Sequence, residues 1–417
     1  MRSTFRSLQF LNFRLWCIGA LVSNIGTWMQ RTAQDWLVYN ELTHQDATAM
    51  GIVMALQFGP QLLLAPVSGV LADRMNRRHL LIGTQAAMAV LAVGLGTMVI
   101  TGTADLWHVY AFALGLGIVA TLDGPARQTV VSELVRDEFV PNAVALNSMS
   151  FNVARMIGPA VAGLLVAAIG SGWVFLLNAI SFAVMIGAIL ALRTDQLRVL
   201  PRAKAGRGLI REGFRYVRGR GDIIAVLTAI FLIGTFGLNF AVFIAGMART
   251  QFGLQADGFG VLSSVMAIGS VVGTLASARR ERPRLRFIFG AGGLFGVACV
   301  LAALAPNPVL FGGALILCGL TALTVMTSAN AYVQTTTEPA LRGRVMALYF
   351  AIFMGGTPLG APVVGWISDS FGPPWALVAG AASGVGAAVV GLVWYWRSQH
   401  LRLAFDRTSR FHVTIHG

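Results

Sequence analysis

The chain has 417 residues, 56% of them hydrophobic and 12% charged, with 48 glycines and a mean hydropathy of +0.71. Soluble domains carry roughly 25% charged residues, so this composition excludes a water-soluble protein, which would lack the charge to cover its outside. The net charge of +14 comes almost wholly from arginine, Lys204 being the only lysine. The arginines sit in short connectors between apolar runs and not on a face interleaved with aromatics, which excludes a nucleic-acid partner.

A membrane-crossing helix needs about 20 mostly apolar residues. Twelve such runs are predicted, at 14–39, 49–72, 79–101, 106–128, 142–169, 173–192, 222–248, 257–278, 286–305, 308–333, 343–368 and 374–396, giving an all-α membrane protein. The first run follows Arg2, Arg6 and Arg14 but is too long and too polar for a cleavable leader, and is expected to remain as a span. Asn24, Thr27, Arg31 and Gln34 or Asp35 fall on one stripe of it. Arg31 and Asp35, one turn apart, either pair with each other or face a cavity. Gln57 and Gln61 on the second run are further cavity candidates.

The second run ends in GVLADRMNRR, residues 69–78. Gly69 permits close helix approach and Asp73 offers a carboxylate to a neighbouring helix N-terminus. Arg74, Arg77 and Arg78 can bridge to acids or lipid phosphates. In the fourth run Asp123 and Arg127 form a pair at helical spacing. Asp35 and Asp123 are nearly the only acids inside spans, and they are the candidates for coupling to protons.

In the fifth run Ser148, Asn152, Arg155 and Pro159 share a stripe. Arg155 lies about 13 residues into its span, near the membrane centre at about 1.5 Å per residue. An arginine there costs roughly 3 kcal/mol without a partner or water, so Arg155 is the first choice for a substrate-facing or gating cation. Gly158 and Pro159, followed by Gly163, mark a kink where proline frees a carbonyl.

The connector 193–221 holds nine basic and two acidic residues. It divides the chain into an N-terminal six-helix bundle (1–192), a basic linker (193–221), a C-terminal six-helix bundle (222–396) and a tail (397–417). Ile210, Phe214 and Val217 lie on one stripe beside Arg211, Arg215 and Arg218. That pattern fits a short helix on the anionic leaflet, and a solvated basic linker equally. In the second half no charged residue falls well inside a span. Asn239, Thr324, Ser328 and Tyr349 either line a cavity or bond to a neighbouring helix.

Of the 31 basic residues, 28 lie in the N-terminus, every second connector and the tail. Cytoplasmic connectors retain Lys and Arg, so both termini are expected in the cytoplasm. Phe151, Gly158, Gly163, Gly170 and Trp173 recur 202 positions later as Phe353, Gly360, Gly365, Gly372 and Trp375. A parallel repeat of this kind builds a six-plus-six transporter with the substrate path between its halves.

Other chemistry finds no motif. Lys204 follows Ala203, outside any phosphate loop, and there is no dinucleotide fingerprint, Gly-x-Ser-x-Gly elbow or His-Glu-x-x-His pair. Cys17, Cys299 and Cys318 show no ligand spacing. No catalytic residue, metal or cofactor is expected.

With these residues in view, GVLADRMNRR resembles the signature of the major facilitator superfamily, with a degenerate copy, GTLASARR, at 273–280. NFRLW (12–16), SNIGTWMQRTAQDWLVY (23–39), LDGPARQ (122–128), RMIGPAVAGLL (155–165), REGFRYV (211–217) and RGRVMAL (342–348) resemble its bacterial siderophore and macrolide exporters. The resemblance implies two pseudo-symmetric six-helix bundles. It also implies a cytoplasmic gate built from Gly69, Asp73, Arg74, Arg77, Arg78 and Arg127, and a relay joining Asp123 to Asp73 and Arg77. Gly158, Pro159 and Gly163 resemble the exporters' antiporter motif without its full glycine pattern. The expected function is export of a siderophore or hydrophobic drug across the inner membrane of a bacterial cell by alternating access, with protons as coupling ion, a monomeric chain and membrane lipids around it. An importer or uniporter, and a membrane receptor or enzyme that moves no cargo, are the alternatives.

Overall fold

In the computed structural model the described residues are 5–198, 209–278, 284–338, 341–398, 402–404 and 414–416. A chain in hydrocarbon must satisfy its backbone within each segment, which helices do. The first half supplies α1 (Leu11–Trp36), α2 (Ala47–Arg74), α3 (Arg77–Ile100), α4 (Leu106–Glu133), α5 (Val140–Ile169) and α6 (Ser171–Leu190). After the short linker helix α7 (Leu209–Arg218), the seventh rod is composite. Here α8 (Gly221–Leu232) passes through a π turn, breaks at Leu238 and Asn239, and resumes as α9 (Phe240–Gly246) and a second π turn ending at Gln251. The remaining rods are α10 (Ala256–Ala278), α11 (Leu285–Ala303), α12 (Pro308–Thr336), α13 (Arg342–Phe371) and α14 (Pro373–Ser398).

Twelve rods are therefore present among the described residues. Eleven segments are long and apolar enough to cross a membrane. The other rod, α1, is as long at 26 residues but carries Arg14, Arg31, Asp35 and several amides. In the tail, β1 (Arg402–Ala404) pairs antiparallel with β2 (Thr414–His416), a local hairpin pairing that composition did not announce.

Helix starts follow local chemistry. Asn76 caps α3 by accepting from the Arg78 and His79 N–H groups. Asn307 caps α12, with Pro308 next to it, where a missing N–H costs nothing. In the first bundle α1 packs on α5 and α6, α3 on α4 and α6, and α2 on α4. In the second, α12 packs on α10 and α11, and α14 packs on α8, α11 and α13.

The bundles meet mainly where α2 crosses α13 and α5 crosses α10. Both crossings are close because a glycine sits at each: a Cβ on Gly163 of α5 would lie 2.6 Å from the Ala256 carbonyl of α10, and one on Gly365 of α13 would strike the backbone of Ala47 and Thr48 of α2. Their repeat neighbours turn inward within each bundle. Gly158 lies against Trp28 and Met29 of α1, and Gly360 against Thr235 of the seventh rod. The 202-position repeat thus encodes paired contacts, one within a bundle and one between bundles.

The linker begins on the first bundle, where Arg198 bonds to both oxygens of Asp137 at 2.7 and 2.6 Å. It ends on the second, where Arg220 holds Asp222 at 2.9 and 2.7 Å and the Thr336 carbonyl at 3.1 Å. Within α7, Val217 is buried, Phe214 is exposed, and Gly213 lies against Arg344 of α13. A helix covers the stretch that carries the apolar stripe, and the Ile210 and Arg211 side chains lie outside the described residues.

Candidate transport cavity

Between the bundles lies a cavity of about 330 Å3 lined by α1, α2 and α5 on one side and by α9, α10, α12 and α13 on the other. Its polar lining includes Arg31, Thr32, Asp35, Gln57, Arg155, Ser263, Ser270 and Thr357. Its walls include Trp28, Phe58, Phe240, Phe259 and Phe353, with Met54, Met266, Met326 and Met354.

The Arg31 guanidinium carbon lies 5.2 Å from the Trp28 ring centroid and 4.7 Å from that of Phe58. Arg31 Nε is buried and makes no hydrogen bond. The ring faces offer it a partly compensating attraction. Arg31 and Asp35 do not form an ion pair, although one turn of α1 separates them; the ion pairs among the described residues lie elsewhere. Asp35 is 8% exposed and lines the cavity with Arg31 and Arg155. The Gln57 side-chain nitrogen is buried without a partner and lines the same space. Pro159 also contributes to the wall, and α5 continues as one helix through it.

Other cavity candidates from the sequence are engaged elsewhere. Asn152 donates to the Ser148 carbonyl at 2.9 Å, Asn239 to the Thr235 carbonyl at 2.7 Å, Thr324 to the Leu320 carbonyl at 2.7 Å, and Tyr349 to the Met326 carbonyl at 3.1 Å. Gln34 and Ser328 are buried outside the lining, and Asn24 and Gln61 are half-buried outside it. The aromatic and methionine walls were not picked from sequence, because an apolar side chain facing a cavity looks the same in sequence as one facing a helix or a lipid.

Asp123 lies outside the cavity, in a polar knot joining α1, α3 and α4. It accepts from Arg127 Nε at 2.5 Å, Thr84 Oγ1 at 2.7 Å and Gln85 Nε2 at 2.9 Å, while Arg127 also donates to Ser23 Oγ at 3.1 Å. Ser23, Thr84 and Gln85 escaped the sequence reading, since single polar residues in spans carry no local signature.

Of the residues expected to form a gate, Arg77 bonds to Glu133 at the end of α4, and Arg78 donates to the Leu190 carbonyl at 2.9 Å. The Gly69, Asp73 and Arg74 side chains lie outside the described residues. Arg77 and Asp123 are not bonded to each other: Arg77 is held by Glu133, about ten residues further along α4, and the Asp73 side chain of the expected relay lies outside the described residues.

The transmembrane secretion effector family model matches residues 2–406. The chain is 24% identical over 391 residues to the staphyloferrin A transporter of Staphylococcus aureus, covering 92% of this chain and 96% of that protein. It is 26% identical over 356 residues to the enterobactin exporter EntS of Shigella boydii serotype 18, covering 82% of each. Among solved structures, a POT family transporter in complex with 5-aminolevulinic acid superposes with a TM-score of 0.74 at 13% identity, over 94% of this chain and 96% of that one. The nucleoside transporter NupG superposes at 0.73 and 13% identity, over 92% and 100%. These structures share the fold. The chain is a multi-pass membrane transporter, not an enzyme, and belongs to the transmembrane secretion effector family of the major facilitator superfamily.

Proposed function

We propose that this transporter exports a compact anionic aromatic molecule, a siderophore or siderophore-like acid, from the bacterial cytoplasm by alternating access. The observation that carries the reading is the cavity between the bundles, where Arg31 and Arg155 outnumber the single carboxylate Asp35 within an aromatic wall. Cations alone would serve any anion; the flanking Trp28 and Phe58 rings favour a flat, conjugated one. The staphyloferrin A and enterobactin transporters among its relatives support a siderophore cargo and, for EntS, the outward direction; the aromatic preference rests on the cavity wall alone. A volume near 330 Å3 is at the small end of ligand sites, about 300–1,000 Å3.

Protons are the proposed coupling ion, with Asp35 the exchanging group. Asp123 already accepts from three donors, whereas Asp35 faces the cavity. The arginine distribution supports cytoplasmic termini in the inner membrane, and the crossing near Asp369 is then on the outer face. A second reading, efflux of a hydrophobic drug, is favoured by the methionine and phenylalanine walls, which adapt to many shapes.

The test compares accumulation of catecholate and carboxylate siderophores, dyes and macrolides in cells with and without the protein. Lower accumulation of the aromatic acids, lost in Arg155→Ala, supports the first reading, and lower accumulation of neutral or cationic drugs alone supports the second. Higher accumulation in cells carrying the protein makes it an importer. In vesicles with an imposed pH gradient, proton-driven export that survives Asp35→Asn would remove Asp35 from the coupling.

A further inference from the structure

The start of α2 in the first bundle is capped by the second bundle. Asp369, two residues before the end of α13, accepts the Ala47 N–H through Oδ1 at 2.8 Å. Its Oδ2 accepts the Thr48 N–H at 2.8 Å and the Thr48 hydroxyl at 2.5 Å. A helix start leaves four N–H groups unpaired, and a carboxylate there also meets the positive end of the helix dipole. α2 has its own Asp46 on the Ala49 N–H at 2.8 Å, so the two caps divide the orphan donors between the bundles.

Beside this contact, Thr250 of the second bundle donates to Gln45 Oε1 at 3.1 Å, which leaves Tyr39 to donate its hydroxyl to Thr250 at 3.0 Å. His44 and Gln45 hold φ of 50° and 79°, a left-handed pair that non-glycine residues adopt at a cost and keep only where their surroundings impose it. The strained turn thus lies against the bonds that tie the two bundles at this end.

We propose that Asp369 is a releasable clasp: it closes this end of the pathway by capping α2 from across the interface, and it lets go each time this end opens. The strained His44–Gln45 turn relaxes on release and offsets part of the lost cap, so the closed state is held without being locked. α2 and α13 run antiparallel, and each carries an aspartate in its last turn, Asp369 in α13 and Asp73 in α2. The sequence resemblance gives Asp73 the gate at the opposite end. Asp369 stands at the opposite end of the same helix pair from that position. Only the repetition of release in every cycle rests on the alternating-access reading; the clasp is a property of conformation.

The experiment reads accessibility, not cargo flux, so failure of the clasp and failure of the export reading are distinguishable. In the full chain, Cys17, Cys299 and Cys318 are replaced by serine and the cavity residue Ser263 by cysteine. A charged, membrane-impermeant maleimide is added to right-side-out and to inside-out vesicles. From the Asp369 face, Asp369→Ala is expected to raise the labelling rate about tenfold, the effect of losing one good helix cap. Thr48→Val, which removes only the hydroxyl bond, raises it about threefold, and His44→Gly, which relieves the left-handed turn, lowers it about twofold.

Labelling of Asp369→Ala at the parent rate, or an equal rise from both faces, overturns the proposal. Where Asp369→Ala does not insert, the opposite shifts of Thr48→Val and His44→Gly decide, and a null result in both rejects it.

Discussion

Gly170 and Gly372 hold the same backbone shape at equivalent points of the repeat, with φ 86° and ψ 159° in one and φ 100° and ψ 157° in the other. Each ends a long helix, α5 or α13, and each returns its N–H to a carbonyl four residues back, that of Val166 or Ser368. This corner of backbone space is essentially closed to residues with a Cβ. Gly170→Ala and Gly372→Ala are each expected to cost about 1–3 kcal/mol, measured as lowered midpoints of thermal unfolding in detergent. Gly170 has open space around it, so its cost is purely conformational, and larger substitutions there should do no further harm.

The bundle crossing makes the opposite prediction about size. At Gly163 a Cβ meets the Ala256 carbonyl at 2.6 Å, so Gly163→Ala forces α5 from α10 and Gly163→Val forces it further. Overpacking of this kind costs about 1–3 kcal/mol. Increasing loss of heat stability from glycine through alanine to valine is the expected outcome; equal values for all three would show that the crossing gives way freely.

Arg31 relies on two ring faces. Phe58→Leu keeps an apolar wall and removes one face, and should weaken binding of an aromatic anion about fivefold, within the range of a desolvated cation–π contact. Arg31→Lys should weaken it as well, because an ammonium does not stack as a planar guanidinium does. Titration calorimetry with an aromatic carboxylate checks both.

Asp123→Asn leaves the half-buried Arg127 without its counter-charge. Breaking a buried pair from one side costs about 3–5 kcal/mol, a loss that thermal unfolding will register. Since Asp123 lies outside the cavity lining, cargo affinity of the surviving folded protein should be unchanged.

The linker's first anchor is sensitive to acid. Hydrogen bonds from Arg198 hold the Asp137 carboxyl below the usual carboxylate range. A lowered folded value gives stabilisation that is present above the unfolded pKa, about 3.9, and lost as pH falls through the folded one. Protease cleavage near 194–198 should therefore be slow at neutral pH and faster in strong acid, and Arg198→Ala should cleave readily at neutral pH. Both carboxylate and guanidinium face solvent, so added salt will shrink the difference.

The rods, the two-bundle plan and the repeat were legible because each rests on a local quantity: apolar length, glycine spacing and arginine placement. The cavity was legible only in part. Arg31, Asp35, Gln57 and Arg155 stood out because ionisable and amide groups are expensive in hydrocarbon. Trp28, Phe58, Phe353 and Met354 gave no signal, since nothing local separates a cavity wall from a packed face. Glu133 at the tip of α4, which holds Arg77, gave no signal either, because an acid at a helix end reads as an ordinary connector residue. The break in the seventh rod at Asn239 was hidden too, for Gly234 and Gly237 are ordinary in membrane helices, whereas in the fold the turn before the break packs against Gly356 and Gly360 of α13.

The antiparallel run of α2 against α13 has a mechanical reading. Near its middle a Cβ on Gly59 would still keep 4.0 Å from Pro358, looser than the glycine contacts nearer the Ala47 end, and it lies about 18 Å along the axis from that end at 1.5 Å per residue. If the pair pivots there like a seesaw, a tilt of about ten degrees swings that end by about 3 Å, enough to break any hydrogen bond at the tip. The midpoint would hardly travel, so small residues at the pivot and polar ones at the extremes are the division of labour that a beam balanced in lipid requires.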